Sequence, residues 1–193
     1  HTLEEKVKTN SVDFVITNPL YYNQLEHLYG VSRIATLSTL YQERYYAQYG
    51  SVIFTRADTT TVHTLNDLEK AKIGAVHPNS FGGFVMARKE LNDPKYLEKA
   101  LFLQTHNDVV KAVLERKVDV GIVRTDILEH MQQEGLIRLS DIKVIGSKNH
   151  PNFPFLISTE LYPEWPFIKL QHTSEELSYN VLSALLQTSF YLN

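Results

Sequence analysis

Five consecutive residues near the middle of the chain, Asn79-Ser80-Phe81-Gly82-Gly83, combine residue types that can bind a small anion. They follow an apolar segment that predicts a strand, and they precede a predicted helix. Ser80 supplies a hydroxyl, the glycines allow close backbone approach, and the free amides of a helix start favour negative charge. A plain helix cap by Asn79 or Ser80 is the alternative. The segment is not a P-loop, because no Gly-Lys-Ser/Thr follows it.

A second turn between a predicted strand and a predicted helix contains His106 and Asn107. His106 could donate a hydrogen bond to a bound oxyanion. The same segment could instead be a capping box between Thr105 and Asp108, in which His106 has a structural role. The spacing alone leaves both interpretations open.

Arg124 and Thr125 follow a third predicted strand. An arginine at the end of a buried strand is well placed for a bidentate contact with a carboxylate or another oxyanion. The alternative is an ion pair with Asp119 or Asp126. Either role would hold the guanidinium close to the end of the sheet.

The turn before the first long helix contributes further candidates, Asn18, Tyr21 and Tyr22. The chain has 11 tyrosines and one tryptophan, and several of the tyrosines are clustered. A tyrosine ring with a polar tip suits the wall of a ligand pocket. The alternative is ordinary amphipathic packing near the surface.

Composition excludes several classes of function. The absence of cysteine excludes a disulfide scaffold, a thiolate metal site and a cysteine nucleophile. A net charge of -3 gives no indication of nucleic-acid binding. The eight histidines form no spaced metal pair, and no catalytic motif is present, so we expect no metal, no cofactor and no enzymatic activity. No stretch has the roughly 20 apolar residues of a membrane helix.

Strand-like and helix-like segments alternate along the chain, which predicts an α/β fold with parallel sheets. Apolar runs predict strands over 12–17, 32–40, 50–55, 72–76, 100–103, 118–123, 142–145 and 155–157. Caps and apolar stripes predict helices over 3–8, 19–29, 84–91, 107–115 and 126–133, a short helix opened at 64–67, and a terminal helix capped at 173–176.

The order of these elements predicts two lobes on one chain. Lobe 1 is expected to be discontinuous, formed by residues 1–56 and 144–193, and lobe 2 is expected to cover 57–143. Lobe 1 lacks the early strand and turn of a complete doubly wound lobe. We therefore expect a strand-helix segment to lie upstream of this sequence, and any export or membrane-tethering segment to lie outside it.

Five segments, in order along the chain, together resemble a known family: 12–19, 30–37, 80–83, 118–126 and 158–166. They are similar to the phosphate/phosphite/phosphonate-type periplasmic substrate-binding proteins, a branch of the type II periplasmic-binding-protein fold. The resemblance is closer to the periplasmic sensor domains of histidine kinases of the tetrathionate-sensor type. LysR-type effector domains are expected to be related at the level of fold only.

The resemblance implies two lobes joined by hinge strands, with a ligand held between them in a periplasmic, non-enzymatic protein. The pocket residues that it implies are Asn18, Tyr22, Ser80, Phe81, Gly82, Gly83, His106, Arg124 and Thr125. Phe81 departs from the family pattern, because phosphonate binders have a Ser/Thr-rich turn there. A ring in this place weakens the expectation of phosphonate and allows a larger or less charged ligand, such as a carboxylate, a peptide-like molecule or a sulfur oxyanion.

The implied partners are a small-molecule ligand and either a membrane permease or a sensor kinase. A sensing or solute-binding domain is the leading hypothesis. A free receptor of an ABC importer, an enzyme on the same fold and a cytoplasmic effector domain are the alternatives.

Overall fold

The computed structural model describes residues 2–91 and 94–188. In this part of the chain the α-helices are α1 Leu3–Lys8, α2 Pro19–Tyr29, α3 Met86–Glu90, α4 His106–Leu114, α5 Ile127–Gln133 and α6 Glu175–Thr188. The strands are β1 Phe14–Ile16, β2 Ser32–Thr36, β3 Thr39–Tyr41, β4 Arg44–Tyr46, β5 Gln48–Tyr49, β6 Ser51–Arg56, β7 Ile73–Ala75, β8 Leu101–Phe102, β9 Val120–Arg124, β10 Ile142–Ile145, β11 Tyr162–Pro163 and β12 Pro166–Lys169. Short 3₁₀ helices cover Leu65–Lys70, Pro94–Lys99 and Leu139–Asp141, and a π-helical turn covers Phe81–Val85.

The chain divides into two compact units, one formed by His1–Gln48 with Pro163–Asn193 and the other by Tyr49–Tyr162. These bounds differ from the predicted lobes, which placed 49–56 and 144–162 in lobe 1. The reason is strand pairing, because β6 is hydrogen-bonded to both β9 and β10 within the sheet of the second unit. The assignment of the two units as ligand-closing lobes stays a prediction.

The first unit contains a three-stranded sheet in the order β1-β12-β2. Both pairings are antiparallel, with Val15 opposite Ile168 and Ala35 opposite Phe167. Helices α1 and α2 pack on this sheet through buried Val7 and Leu25. A β3–β4 hairpin lies in the same unit.

The second unit contains a five-stranded mixed sheet in the order β10-β6-β9-β7-β8. Strand β7 runs parallel to both β8 and β9, whereas β6 runs antiparallel to β9 and β10. The α/β fold is therefore confirmed, and within this sheet the parallel pairings are those of β7 with β8 and with β9. Alternation of helix and strand predicts the elements, whereas strand direction depends on how the chain returns to the sheet.

Both faces of this mixed sheet are covered. Val52 and Phe54 of β6 enter one core cluster, together with α4 and α5, while Ile53 enters the cluster on the other face. A strand with both faces buried has a continuous apolar sequence, as β6 and β9 do. The sheet therefore gives a rigid base for the turns that follow its strands.

Two strand predictions need correction, and some observed strands, including β12, were not predicted. The segment 155–157 is not a strand; instead, the Ser158 hydroxyl accepts a hydrogen bond from the Ile53 N–H at 2.9 Å and anchors this part of the chain to β6. The run 32–40 is two strands, β2 and β3, rather than one. Strand β12, the central strand of its sheet, was not among the predicted strands.

Candidate functional site

The polar candidates of the second unit follow three neighbouring strands. Ser80 follows β7, His106 follows β8, and Arg124 is the last residue of β9. These three strands are parallel, so their carboxyl ends lie at one edge of the sheet. Ligands of open α/β sheets bind at this edge. The sequence thus predicted that these residues come together at one edge of the sheet, and ligand binding there stays a prediction.

Ser80 caps the helical segment that begins at Phe81. Its hydroxyl oxygen accepts a hydrogen bond from the Gly83 N–H at 3.2 Å, and its own N–H donates to the His77 carbonyl at 2.9 Å. The helical segment starts three residues earlier than the predicted 84–91, because this cap acts on Gly83. The capping interpretation thus holds for Ser80, whose hydroxyl hydrogen is still available for donation. Asn79 is exposed, and its N–H donates to the His77 ring at 3.1 Å.

Gly82 and Gly83 are required by close packing inside the protein. A Cβ on Gly82 would lie 2.8 Å from Cβ of Arg124 and 2.9 Å from Cε2 of Tyr49. A Cβ on Gly83 would lie 2.6 Å from Cγ2 of Val76. The two glycines therefore allow the start of the helix to pack against the sheet and against Arg124. The sequence analysis had instead explained these glycines by the close approach of a ligand.

Arg124 forms a bidentate ion pair with Asp126. Its Nε lies 3.2 Å from Oδ1 and its Nη2 lies 3.1 Å from Oδ2 of that carboxylate. The side chains are only 20% and 9% exposed, so solvent screens this pair less than a surface pair. Asp126 has left-handed backbone geometry, with φ of 77°. Of the two alternative partners, Asp119 instead accepts a hydrogen bond from the Lys72 N–H at 2.8 Å.

His106 is the first residue of α4 and contacts the same arginine. Its Nδ1 accepts a hydrogen bond from the Arg124 backbone N–H at 3.3 Å. Burial, and secondarily the positive charge of Arg124, lowers the pKa of His106 to about 4. The ring is therefore neutral near pH 7, with its proton on Nε2, and that N–H is a donor. Thr105 caps α4 by accepting from the Asp108 N–H at 3.1 Å, so part of the capping interpretation is also correct.

Two further predicted residues, Thr125 and Asn107, are next to these in the sequence. Thr125 is buried, and its hydroxyl oxygen accepts from the Gly50 N–H at 3.1 Å while its own N–H donates to the Gly50 carbonyl at 3.0 Å. It thus fixes β9 to the segment before β6. Asn107 is exposed on α4.

Phe81 lies between two tyrosine rings that the prediction of site residues missed. Its ring centroid is 6.2 Å from that of Tyr49 and 5.2 Å from that of Tyr162, both with edge-on geometry. The Arg124 guanidinium carbon lies 4.6 Å from the Tyr49 ring centroid, and Lys89 Nζ lies 5.4 Å from that of Tyr162. The sequence signals were available, since Tyr49 ends the tyrosine-rich stretch and Tyr162 lies in segment 158–166.

The three remaining candidates belong to the first unit. Asn18 caps α2, its side-chain oxygen accepting from the Tyr21 N–H at 3.0 Å. Tyr21 packs against the core of that unit, and burial, with a smaller contribution from Glu4, raises the pKa of its hydroxyl. The Tyr22 hydroxyl donates to the Glu26 carboxylate, and burial followed by this contact raises the pKa of Tyr22.

Within 2–91 and 94–188, no group of three or more His, Asp or Glu side chains could hold a metal ion. Among the same residues, no helix has the length and apolar character needed to cross a membrane.

Comparison with known proteins gives a family match along nearly the whole chain. Residues 1–190 match the family described as the periplasmic substrate-binding protein of a phosphonate ABC transporter. The tetrathionate sensor histidine kinase TtrS of Salmonella typhimurium is 35% identical over 191 residues, which cover 96% of this chain. The chain spans only 32% of the length of that kinase.

Solved structures show the same fold at low sequence identity. A Xanthomonas citri protein bound to ATP has a TM-score of 0.67 and 16% identity, with coverage of 96% of this chain and 67% of its own. The binding protein of an ABC phosphonate transporter from Pseudomonas aeruginosa has a TM-score of 0.64 and 18% identity, covering 93% and 57%. A histidine kinase sensor domain with similarity to periplasmic binding proteins has a TM-score of 0.55 and 16% identity, covering 97% and 69%. The predicted type II periplasmic-binding fold is confirmed.

Proposed function

Because this chain belongs to the phosphonate-type periplasmic substrate-binding protein family, we propose that it is a sensing domain that binds a small anion through Arg124, His106 and Ser80. The observation that carries the proposal is the position of these three residues after parallel strands β7, β8 and β9. A guanidinium, a neutral imidazole N–H and a hydroxyl there can all donate hydrogen bonds to an oxyanion.

Sensing is favoured over transport by the kinase relative, which is 35% identical along 96% of this chain. In this proposal the partner is a sensor-kinase region, the location is the periplasm, and a small polar ligand is bound without being converted. The family description refers to transport receptors, so a free receptor of an ABC importer is the second candidate. Tetrathionate is the first ligand to test, because the name of the relative specifies it.

A thermal-shift screen followed by calorimetry tests the proposal. The probes are tetrathionate, thiosulfate, sulfate, methylphosphonate and simple carboxylates. A ligand that binds only the folded protein raises its melting temperature. Chemical analysis of the recovered ligand should show it unchanged, and conversion would contradict the non-enzymatic role.

A pair of matched variants tests the role of Arg124. Arg124→Ala should weaken anion binding by roughly 2–5 kcal/mol, as expected for a buried charge contact. Arg138→Ala is the control, because Arg138 also forms a bidentate pair, with Asp141, but is 80% exposed. Equal affinities for the two variants would remove Arg124 from the site.

A further inference from the structure

We propose that Asp126 sets the charge of the ligand group that this site accepts, so that a singly charged oxyanion group is bound and a compact dianion is rejected. The ligand class is therefore sulfonate-like or carboxylate-like in the group that meets Arg124. This inference rests on the proposed function and concerns the same site.

The first step of the argument is the charge balance around Arg124. Its guanidinium is neutralised by two contacts with the Asp126 carboxylate, at 3.2 and 3.1 Å. His106 adds a donor without adding a charge, because its ring is neutral near pH 7. Glu129, on the first turn of α5, is a further carboxyl close to Asp126, and the His130 side chain lies near Glu129.

The second step concerns another cation of the unit, Lys89. It is exposed, lies over the Tyr162 ring, and has the carboxylates of Glu90 and Glu160 nearby. Lys89 therefore supplies little excess positive charge to the anion group. A second negative charge on that group would remain uncompensated in a region where the Arg124 and Asp126 side chains are largely buried, and such a charge is strongly unfavourable.

The third step is the geometry that keeps Asp126 in place. Its backbone is left-handed, with φ of 77°, and it is 7% exposed. The Arg124 guanidinium that it holds also lies over the Tyr49 ring at 4.6 Å. The arginine is thus held by a carboxylate and by an aromatic ring. Its N–H groups can donate hydrogen bonds to a ligand, but the Arg124–Asp126 pair as a whole carries no net charge.

The experiment uses two probes of nearly equal shape, methanesulfonate and methylphosphonate, measured by calorimetry on the purified protein. Above the second pKa of the phosphonate, the two probes differ by one charge. The wild type should bind methanesulfonate at least about tenfold more tightly than the phosphonate dianion. At lower pH, where methylphosphonate carries one charge, its affinity should recover to within about threefold of the sulfonate.

Asp126→Asn removes the counter-charge while keeping the shape, and asparagine tolerates left-handed backbone geometry. The preference for sulfonate over the phosphonate dianion should fall at least about tenfold, because the negative charge that Asp126 places beside Arg124 is then removed. Asp141→Asn, which alters the exposed Arg138 pair, should leave the preference unchanged. A change of packing alone would affect both probes equally.

Each result has a defined meaning. If no sulfonate, tetrathionate, carboxylate or phosphonate binds, the proposed function fails, and this inference fails with it. If anions bind but the wild type prefers the phosphonate dianion, or binds tetrathionate and neither small probe, only the inference is overturned. An unchanged preference in a folded Asp126→Asn variant also overturns it.

Discussion

The backbone N–H of Arg124 donates a hydrogen bond to Nδ1 of His106 at 3.3 Å, which joins the end of β9 to the start of α4. This bond requires Nδ1 to be unprotonated. Protonation of His106 would therefore break a contact within the candidate site and place a second positive charge beside Arg124.

The first prediction is an acid-sensitive stability. The pKa of His106 is about 4 in the folded protein, below its ordinary value of 6.5, because of burial and then Arg124. The unfolded chain binds more protons between these values, so stability is fully present above about pH 6.5 and falls as the pH is lowered towards 4. The loss should be about 2–3 kcal/mol, measured by urea unfolding across that range.

His106→Asn tests the source of this loss, because an asparagine oxygen can still accept from the Arg124 N–H. The variant should lose less stability on acidification than the wild type does. His63→Asn, at an exposed histidine of the same unit, should behave like the wild type. An unchanged pH slope in His106→Asn would assign the acid sensitivity to other groups.

The second prediction concerns Glu129, which is 6% exposed and accepts a hydrogen bond from the Leu156 N–H at 2.6 Å. Burial is the main cause that raises the pKa of this carboxyl. A raised folded-state pKa means that ionisation is unfavourable in the folded protein, so stability is lost as the pH rises through that value. Glu129→Gln should therefore raise the melting temperature at neutral pH.

The pH dependence distinguishes this effect from a change in packing. The gain from Glu129→Gln should shrink as the pH falls towards the ordinary pKa of a glutamate, where the wild-type carboxyl is itself protonated. Glu134→Gln is the control and should show no such gain, because Glu134 is exposed and directly follows helix α5, which contains Glu129. A less stable Glu129→Gln variant at neutral pH would refute the interpretation.

The third prediction separates packing from backbone strain at glycine. Gly82→Ala would place a Cβ 2.8 Å from Arg124 and 2.9 Å from Tyr49, so it should cost about 1–3 kcal/mol and also weaken anion binding. Gly135→Ala is the matched control, because nothing lies within 4 Å of its Cβ, although its φ is 71°. It should cost about 1–2 kcal/mol by strain while leaving binding intact. Equal binding by both variants would show that Gly82 does not position Arg124.

Local signals predicted some elements of the fold well. Helix α2 begins at Pro19 after the Asn18 cap and ends before Gly30, which has the left-handed φ of 60° that glycine adopts easily. Such boundaries are encoded within a few residues. In contrast, β12 is placed by pairing with β1 and β2, which are more than a hundred positions earlier, and no local pattern contains that information.

The candidate site shows the same limit. The clustering of Ser80, His106 and Arg124 at one edge of the sheet could be predicted, because each of them follows a predicted strand in the sequence. The contact of Phe81 with Tyr49 and Tyr162 depends on residues far apart along the chain, so it could not be predicted from spacing. The Arg124–Asp126 pair was one of two open alternatives, and only the side-chain geometry selects it.

Tyr49 and Tyr162 are the first and last residues of the uninterrupted second unit, and both rings touch Phe81. The second unit is therefore a domain insertion whose two termini meet at a single side chain. Closely spaced termini of this kind allow an excised domain to be circularised or permuted, since the entropy of joining them through a short linker is small. Residues 49–162 are thus a candidate for excision and circular permutation as one segment.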